Sequence, residues 1–174
     1  MRSFKRTVTG VVAAAVCGIS AFGLATVAPA ATTDERTCRG TIGARSIDGD
    51  VRVPKGATCR LNGTRVDGNV KVYRNATLVA TRVRVGGNVQ AENAKRVVVT
   101  RGLVGGSIQL KQGGSLNLTR NVVDSDIQLF SNRGRSVVLR NVVDGNLQCK
   151  SNRPRPTGGG NRVEGNKEDQ CARL

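Results

Sequence analysis

The chain has 174 residues, with 28 Lys and Arg against 12 Asp and Glu, a net charge of +16, no histidine and four aromatic side chains. That length is one domain, and the charge points to anionic partners. The lack of histidine removes the commonest general base and zinc ligand, and the scarcity of aromatics argues against a base-stacking reader of nucleic acid.

Residues 1–30 read as a secretory signal peptide. MRSFKR supplies a positive start, an apolar run follows from Val8 to Val27, and Ala28-Pro29-Ala30 is a small-x-small cleavage site. No stop-transfer charge cluster follows, which disfavours a membrane anchor, and no later segment is apolar enough to span a membrane. Arg2, Lys5 and Arg6 leave with the signal, so 25 basic residues face 12 acidic ones and the mature charge is about +13. Residues 31–37 form a short tail, 38–171 the repeat domain, and 172–174 a second tail. The expected location is extracellular or at the cell wall of a bacterium.

The phrase VDGNVKV at 66–72 returns as VGGNVQA at 85, VGGSIQL at 104, VDSDIQL at 123 and VDGNLQC at 143. Ile47, Val66, Val85, Val104, Val123, Val143 and Val163 therefore act as anchors spaced by 19 or 20 residues, the mark of stacked repeats. Four residues on stand Val51, Val70, Val89, Ile108, Ile127 and Leu147, and two further on Val53, Val72, Ala91, Leu110, Leu129 and Cys149. These positions share parity, so an extended strand turns them to one face. Gly49, Gly68, Gly87, Gly106, Gly145 and Gly165 fill the second position after the anchor, Ser125 being the exception, and imply a bend or a crowded corner.

Each unit carries a second apolar patch (Leu78 and Ala80, Val97 and Val99, Leu116 and Leu118, Val137 to Leu139). A third lies just before the next anchor, as Val83 before Val85 and Leu103 before Val104. Three short strands leave no room for a helix. The predicted fold is all-β, a parallel β-solenoid (β-helix) of about seven turns with three strands each, stacked at about 4.8 Å. A sandwich of antiparallel hairpins would not keep like residues in register over seven units.

Four cysteines follow the signal, an even number that in an exported chain reads as two disulfides. Cys38 and Cys59 are 21 residues apart and Cys149 and Cys171 are 22 apart, each about one turn, so each pair is predicted to stack and bond at one end of the domain. The last unit turns polar, Lys167 and Asp169 replacing Leu147 and Cys149, which reads as a cap against exposed strand edges. Before it, NRPRPTGGGNR at 152–162 is expected to replace two strands with a Pro/Gly-rich loop.

Function should lie in the outward columns. Arg82, Arg101, Arg120 and Arg140 stand three residues before successive anchors, with Thr81, Thr100 and Thr119 beside them. Gln90, Gln109, Gln128 and Gln148, preceded by Arg52 and Lys71, form one polar column; Asp50, Asn69, Asn88, Ser107, Asp126, Asn146 and Asn166 form another. Stacked amides bond to their own kind and need no ligand. Stacked arginines repel, and solvent, the carboxylates of Asp124 and Asp144, or an anionic ligand must offset this. With Arg153, Arg155 and Arg162 in the loop, the expected function is a secreted, non-enzymatic module. It would contact an extracellular polyanion such as a cell-wall polymer, acidic polysaccharide or DNA without reading sequence.

No catalytic residue, cofactor or metal is predicted. There is no GxSxG or P-loop motif. Asp48 with Asp50 and Asp124 with Asp126 are DxD pairs, each able to hold a cation if its members share a face. Two other classes remain as rivals: a self-associating extracellular scaffold and a small polysaccharide-acting β-helix enzyme.

Over residues 47 to about 149 the units VDGNVKV, VGGNVQA and VGGSIQL resemble the V-x-G-x-V-x-A phrasing of bactofilins. These are polymer-forming bacterial proteins built as right-handed parallel β-helices. The resemblance implies a right-handed coil and end-to-end assembly. The chain departs from those cytoplasmic proteins in its export signal and in ends that read as stapled and polar. The left-handed acyltransferase pattern needs three hexapeptides per turn, and only one fits here.

Overall fold

The computed structural model describes residues 34–174; the expected signal peptide lies outside them. The strands of these residues make three parallel sheets, each strand pairing with its equivalent one turn on. Sheet A has eight strands, from Glu35–Thr37 and Asp50–Val53 through Ile127–Phe130 and Leu147–Lys150 to Lys167–Asp169. Sheet B has seven, from Gly40–Ile42 through Ser115–Thr119 and Ser136–Leu139 to Thr157–Gly159. Sheet C has seven two-residue strands, from Ser46–Ile47 through Val122–Val123 and Val142–Val143 to Arg162–Val163. This is a β-solenoid of about seven turns, and no described helix is long and apolar enough to cross a membrane.

The shared parity of the repeat builds the core. Val70, Val89, Ile108, Ile127 and Leu147 pair in register along sheet A and are all buried, as are Leu78, Val97 and Leu116 along sheet B. Burying each such side chain contributes about 1.5–3 kcal/mol. Both disulfides form as their spacing predicts, Cys38–Cys59 with Cα atoms 5.5 Å apart and Cys149–Cys171 with 5.2 Å. Lys167 lies against Leu147 and Asp169 against Cys149, so the last sheet A strand closes the stack with polar side chains.

Several expectations are corrected. Glu35–Thr37, within the expected tail, is the first strand of sheet A, pairing Glu35 with Asp50. The run 152–162 is not all loop: Thr157–Gly159 pairs with sheet B and Arg162–Val163 with sheet C, so the last turn keeps both strands. Of Val137 to Leu139 only Val138 is buried, because the register places it on Leu118 and turns its neighbours outward. Leu103 also points outward, at 42% exposure, while Val83 is buried.

The corners explain these reversals: the A/B corner from Ser131 holds one residue more than the one from Gln112, so Ser136 rather than Val137 stacks on Leu116. Between sheets A and B the chain turns on Asn75, Asn93, Gln112, Ser131 and Ser151, and between sheets B and C on Arg82, Arg101, Arg120 and Arg140, all with φ of 53–57°. A left-handed residue resets the alternation: the next side chain points in, the one after it out, and the anchor in again.

Inside two corners run buried amide ladders. Asn121, Asn141 and Asn161 stack in one: the Asn121 Nδ2 donates to Asn141 Oδ1 at 3.0 Å and to the Val99 carbonyl at 2.9 Å. The Asn121 backbone N–H donates to the same Asn141 oxygen at 3.0 Å. Asn132, Asn152 and Gln170 repeat this at the other corner, Asn132 Nδ2 donating to Asn152 Oδ1 at 2.9 Å and Asn152 Nδ2 to Gln170 Oε1 at 3.1 Å. No buried side-chain nitrogen or oxygen among the described residues lacks a partner.

At the third corner the expected Asp50 to Asn166 column is a ladder of the opposite sense. The Asn88 N–H donates to Asn69 Oδ1 at 2.8 Å and the Ser107 N–H to Asn88 Oδ1 at 2.8 Å. This ladder, rather than any unusual dihedral, demands the repeat's glycines. A Cβ on Gly87 would lie 2.5 Å from Asn69 Oδ1, on Gly106 2.4 Å from Asn88 Oδ1, and on Gly145 2.4 Å from Asp126 Oδ1. Ser125 is tolerated because the ladder residue of the turn below, Ser107, carries a shorter side chain, which accepts from the Asp126 N–H at 3.3 Å. Gly106→Ala is therefore expected to cost about 2 kcal/mol by overpacking. Adding Asn88→Ser should restore part of that in denaturant unfolding; an equal or larger loss in the double variant would contradict the account.

Candidate functional site

The arginine column occupies the B/C corner. Each of Arg82, Arg101, Arg120 and Arg140 follows the last residue of a sheet B strand, and all four are exposed. Their backbones are locked turn to turn, the Arg82 N–H donating to the Thr100 carbonyl at 3.0 Å and the Arg101 N–H to the Thr119 carbonyl at 3.0 Å. One guanidinium is thus presented per turn over four consecutive turns, whose backbones stack about 4.8 Å apart.

Local conformation does not call for arginine here. Asparagine is enriched in the left-handed region, which accounts for Asn75 and Asn93 at the A/B corner, whereas a long side chain there costs on the order of 1 kcal/mol. The left-handed positions that flank the four arginines at this corner are Gly63 and Gly160 instead, with φ of 66° and 64°. Asp124 and Asp144 do not neutralise the column either. The ion pairs among the described residues are Arg52–Glu35 at 3.6 Å, Arg65–Asp67 at 2.8 Å and Lys71–Asp50 at 2.6 Å. The side-chain bond of the column is that of Arg82 to Asn62 Oδ1, at 3.4 Å.

The remaining predicted arginines divide. Arg162 begins the last sheet C strand, beside Val142, on the face next to the column. Arg153 and Arg155 lie between sheets A and B, Arg153 sharing an open depression with Ser131, Arg133 and Ser151, so they do not extend the column.

The outward column of sheet C is a feature that the sequence reading missed. It runs Arg65, Arg84, Leu103, Val122, Val142, Arg162 in direct register. Leu103, Val122 and Val142 are 42%, 37% and 36% exposed, an aliphatic stripe with arginines at both ends. Beyond it, on the side away from the arginine corner, stand the exposed carboxylates of Asp67, Asp124, Asp144 and Glu164. The signal was present, since each stripe residue directly precedes an anchor. It was hidden because an apolar residue beside an anchor reads as core.

The polar columns of sheet A are structural. Gln128 Nε2 donates to Gln148 Oε1 at 3.0 Å, and Gln148 Nε2 to Glu168 at 2.9 Å. In each DxD pair one carboxylate is engaged within the fold. Asp48 is exposed while Asp50 is buried, pairs with Lys71, and accepts from the Asn69 N–H at 2.7 Å. Asp126 likewise accepts from the Asn146 N–H at 2.7 Å. Burial works against the Asp50 charge, yet the bonds from Asn69 and Lys71 hold its carboxyl below the usual carboxylate range; the bond from Asp50 in turn raises Lys71. Among the described residues no group of three His, Cys, Asp or Glu gathers as a metal site. No family model matches the chain, and neither a curated protein nor a solved structure matches it.

Proposed function

We propose that the protein is a secreted, non-enzymatic binding module that holds an anionic extracellular polymer along the arginine corner. The observation carrying this reading is the use of arginine at four consecutive left-handed corners where glycine serves at the two ends, with no carboxylate partner among the described residues. Four guanidinium groups in a row without a carboxylate partner among the described residues, on a mature chain of net charge about +13, attract a linear polyanion and match carboxylate or phosphate oxygens in bidentate geometry. Two disulfides suit an oxidising environment, where such polymers are found.

Retention on immobilised heparin across a NaCl series tests this. The Arg101→Gln, Arg120→Gln double variant is structurally mild, since Gln112 already adopts φ of 53° at the opposite corner. It should elute at clearly lower salt than the parent protein. Unchanged elution would remove the corner as the site.

A further inference from the structure

We infer that the polymer held at this corner is a linear polyuronate, a chain of uronic acid residues carrying one carboxylate per sugar. This rests on the proposed function and names the ligand class of the same site. Across the corner, two successive turns repeat one set of outward chemistries: half-buried Thr100 with exposed Arg101 and Leu103 in one turn, half-buried Thr119 with exposed Arg120 and Val122 in the next. The intervening Gly102 is buried and Asn121 points inward. These two turns each offer a hydroxyl, a guanidinium and an aliphatic patch, stacked about 4.8 Å apart. The flanking turns keep the guanidinium with part of the set, Thr81, Arg82 and Arg84 on one side and Leu139, Arg140 and Val142 on the other.

A uronic acid residue carries the complement of that set. Its ring hydroxyls bond to a hydroxyl, its carboxylate receives a guanidinium fork, and its C–H face covers an aliphatic side chain.

Other polyanions fit less of this. Duplex DNA carries a charge about every 1.7 Å of its axis, denser than one arginine per turn, and offers no apolar face to the stripe. Polyphosphate likewise has charge without C–H surface. The carboxylates of Asp67, Asp124, Asp144 and Glu164 border the stripe on its far side, so a wide polyanion lying over the corner meets like charge. A single chain one sugar wide stays on the cationic side of that border.

Affinity electrophoresis of the protein against polygalacturonate, its fully methyl-esterified form, inorganic polyphosphate and duplex DNA provides the test, with Leu103→Ser, Val122→Ser as the diagnostic variant. Both residues are exposed, so the fold does not depend on them. Expected are binding of polygalacturonate in preference to the other three, and about tenfold weaker binding of it by the double variant, with polyphosphate affinity unchanged. If polyphosphate or DNA binds as tightly as polygalacturonate and the double variant changes neither, the ligand class is wrong while the arginine corner stands as a general polyanion site. If none of the four binds, this inference and the proposed function fall together.

Discussion

Replacing Asn141 by Leu is expected to cost on the order of 4 kcal/mol, a large part of the roughly 5–15 kcal/mol that separates a folded domain from its unfolded chain. Asn141 Oδ1 is the acceptor for both the backbone N–H and the side-chain Nδ2 of Asn121, and Asn141 Nδ2 donates to the Leu118 carbonyl at 2.9 Å. All three bonds lie in the interior, where Asn121 and Asn141 are 0% and 1% exposed. Leucine fills the volume but leaves two donors of Asn121 without an acceptor, and water has no access to them. The contrast is Asn146→Ala at the outer corner. It frees the N–H of exposed Asn166 and removes the 3.3 Å bond from Asn146 Nδ2 to Asp126 Oδ1, which still accepts from the Asn146 backbone N–H, and is expected to cost less than about 1 kcal/mol. Denaturant unfolding of the two variants checks the difference; equal losses would mean that the inner ladder is no more than a set of replaceable contacts.

The second large effect is expected at the C-terminal staple. The Cys149→Ala, Cys171→Ala double variant should lose about 3 kcal/mol, from the 22-residue loop that the bond closes. Alanine suits both sites because both sulfurs are fully buried. The loss should be localised. Gln170, next to Cys171, ends the A/B ladder by accepting from the Asn152 N–H at 2.8 Å and donating to the Asn152 carbonyl at 3.0 Å. Freeing this segment loosens the top of the inner ladder together with the polar cap of Lys167–Asp169. Hydrogen exchange should therefore quicken in Leu147–Lys150 and Lys167–Asp169 while Val89–Glu92 keeps its protection. Stability equal to the parent's would show that the cap holds without its bond.

Much of this architecture was legible in the sequence for a simple reason. Anchor, fourth and sixth positions repeat in every turn, and a parallel stack forces equivalent residues into one column, so Val66 over Val85 over Val104 could be read from spacing alone. The cysteine pairs followed from the same rule. What stayed hidden is local conformation. Arginine carries no left-handed preference, so nothing marked Arg82 or Arg101 as corners, and without corners the parity of Leu103 and Val137 was read wrongly. Asn121 and Asn132 look like any surface asparagine; only the turn just before each of them sends it inward. The glycine column was seen, but its cause, the amide of the turn below, needs the stack to be visible, and Ser125 over Ser107 is the exception that identifies it.

The column of arginines carries the functional account, and its most direct test is the number of cations that a bound polymer engages. Heparin affinity measured as log Kd against log NaCl gives that number through its slope. The parent protein should show a steep dependence, and Arg101→Gln, Arg120→Gln should lower the slope by about two, one for each guanidinium removed. A parallel line of unchanged slope for the variant would contradict the assignment of the polyanion site to the B/C corner.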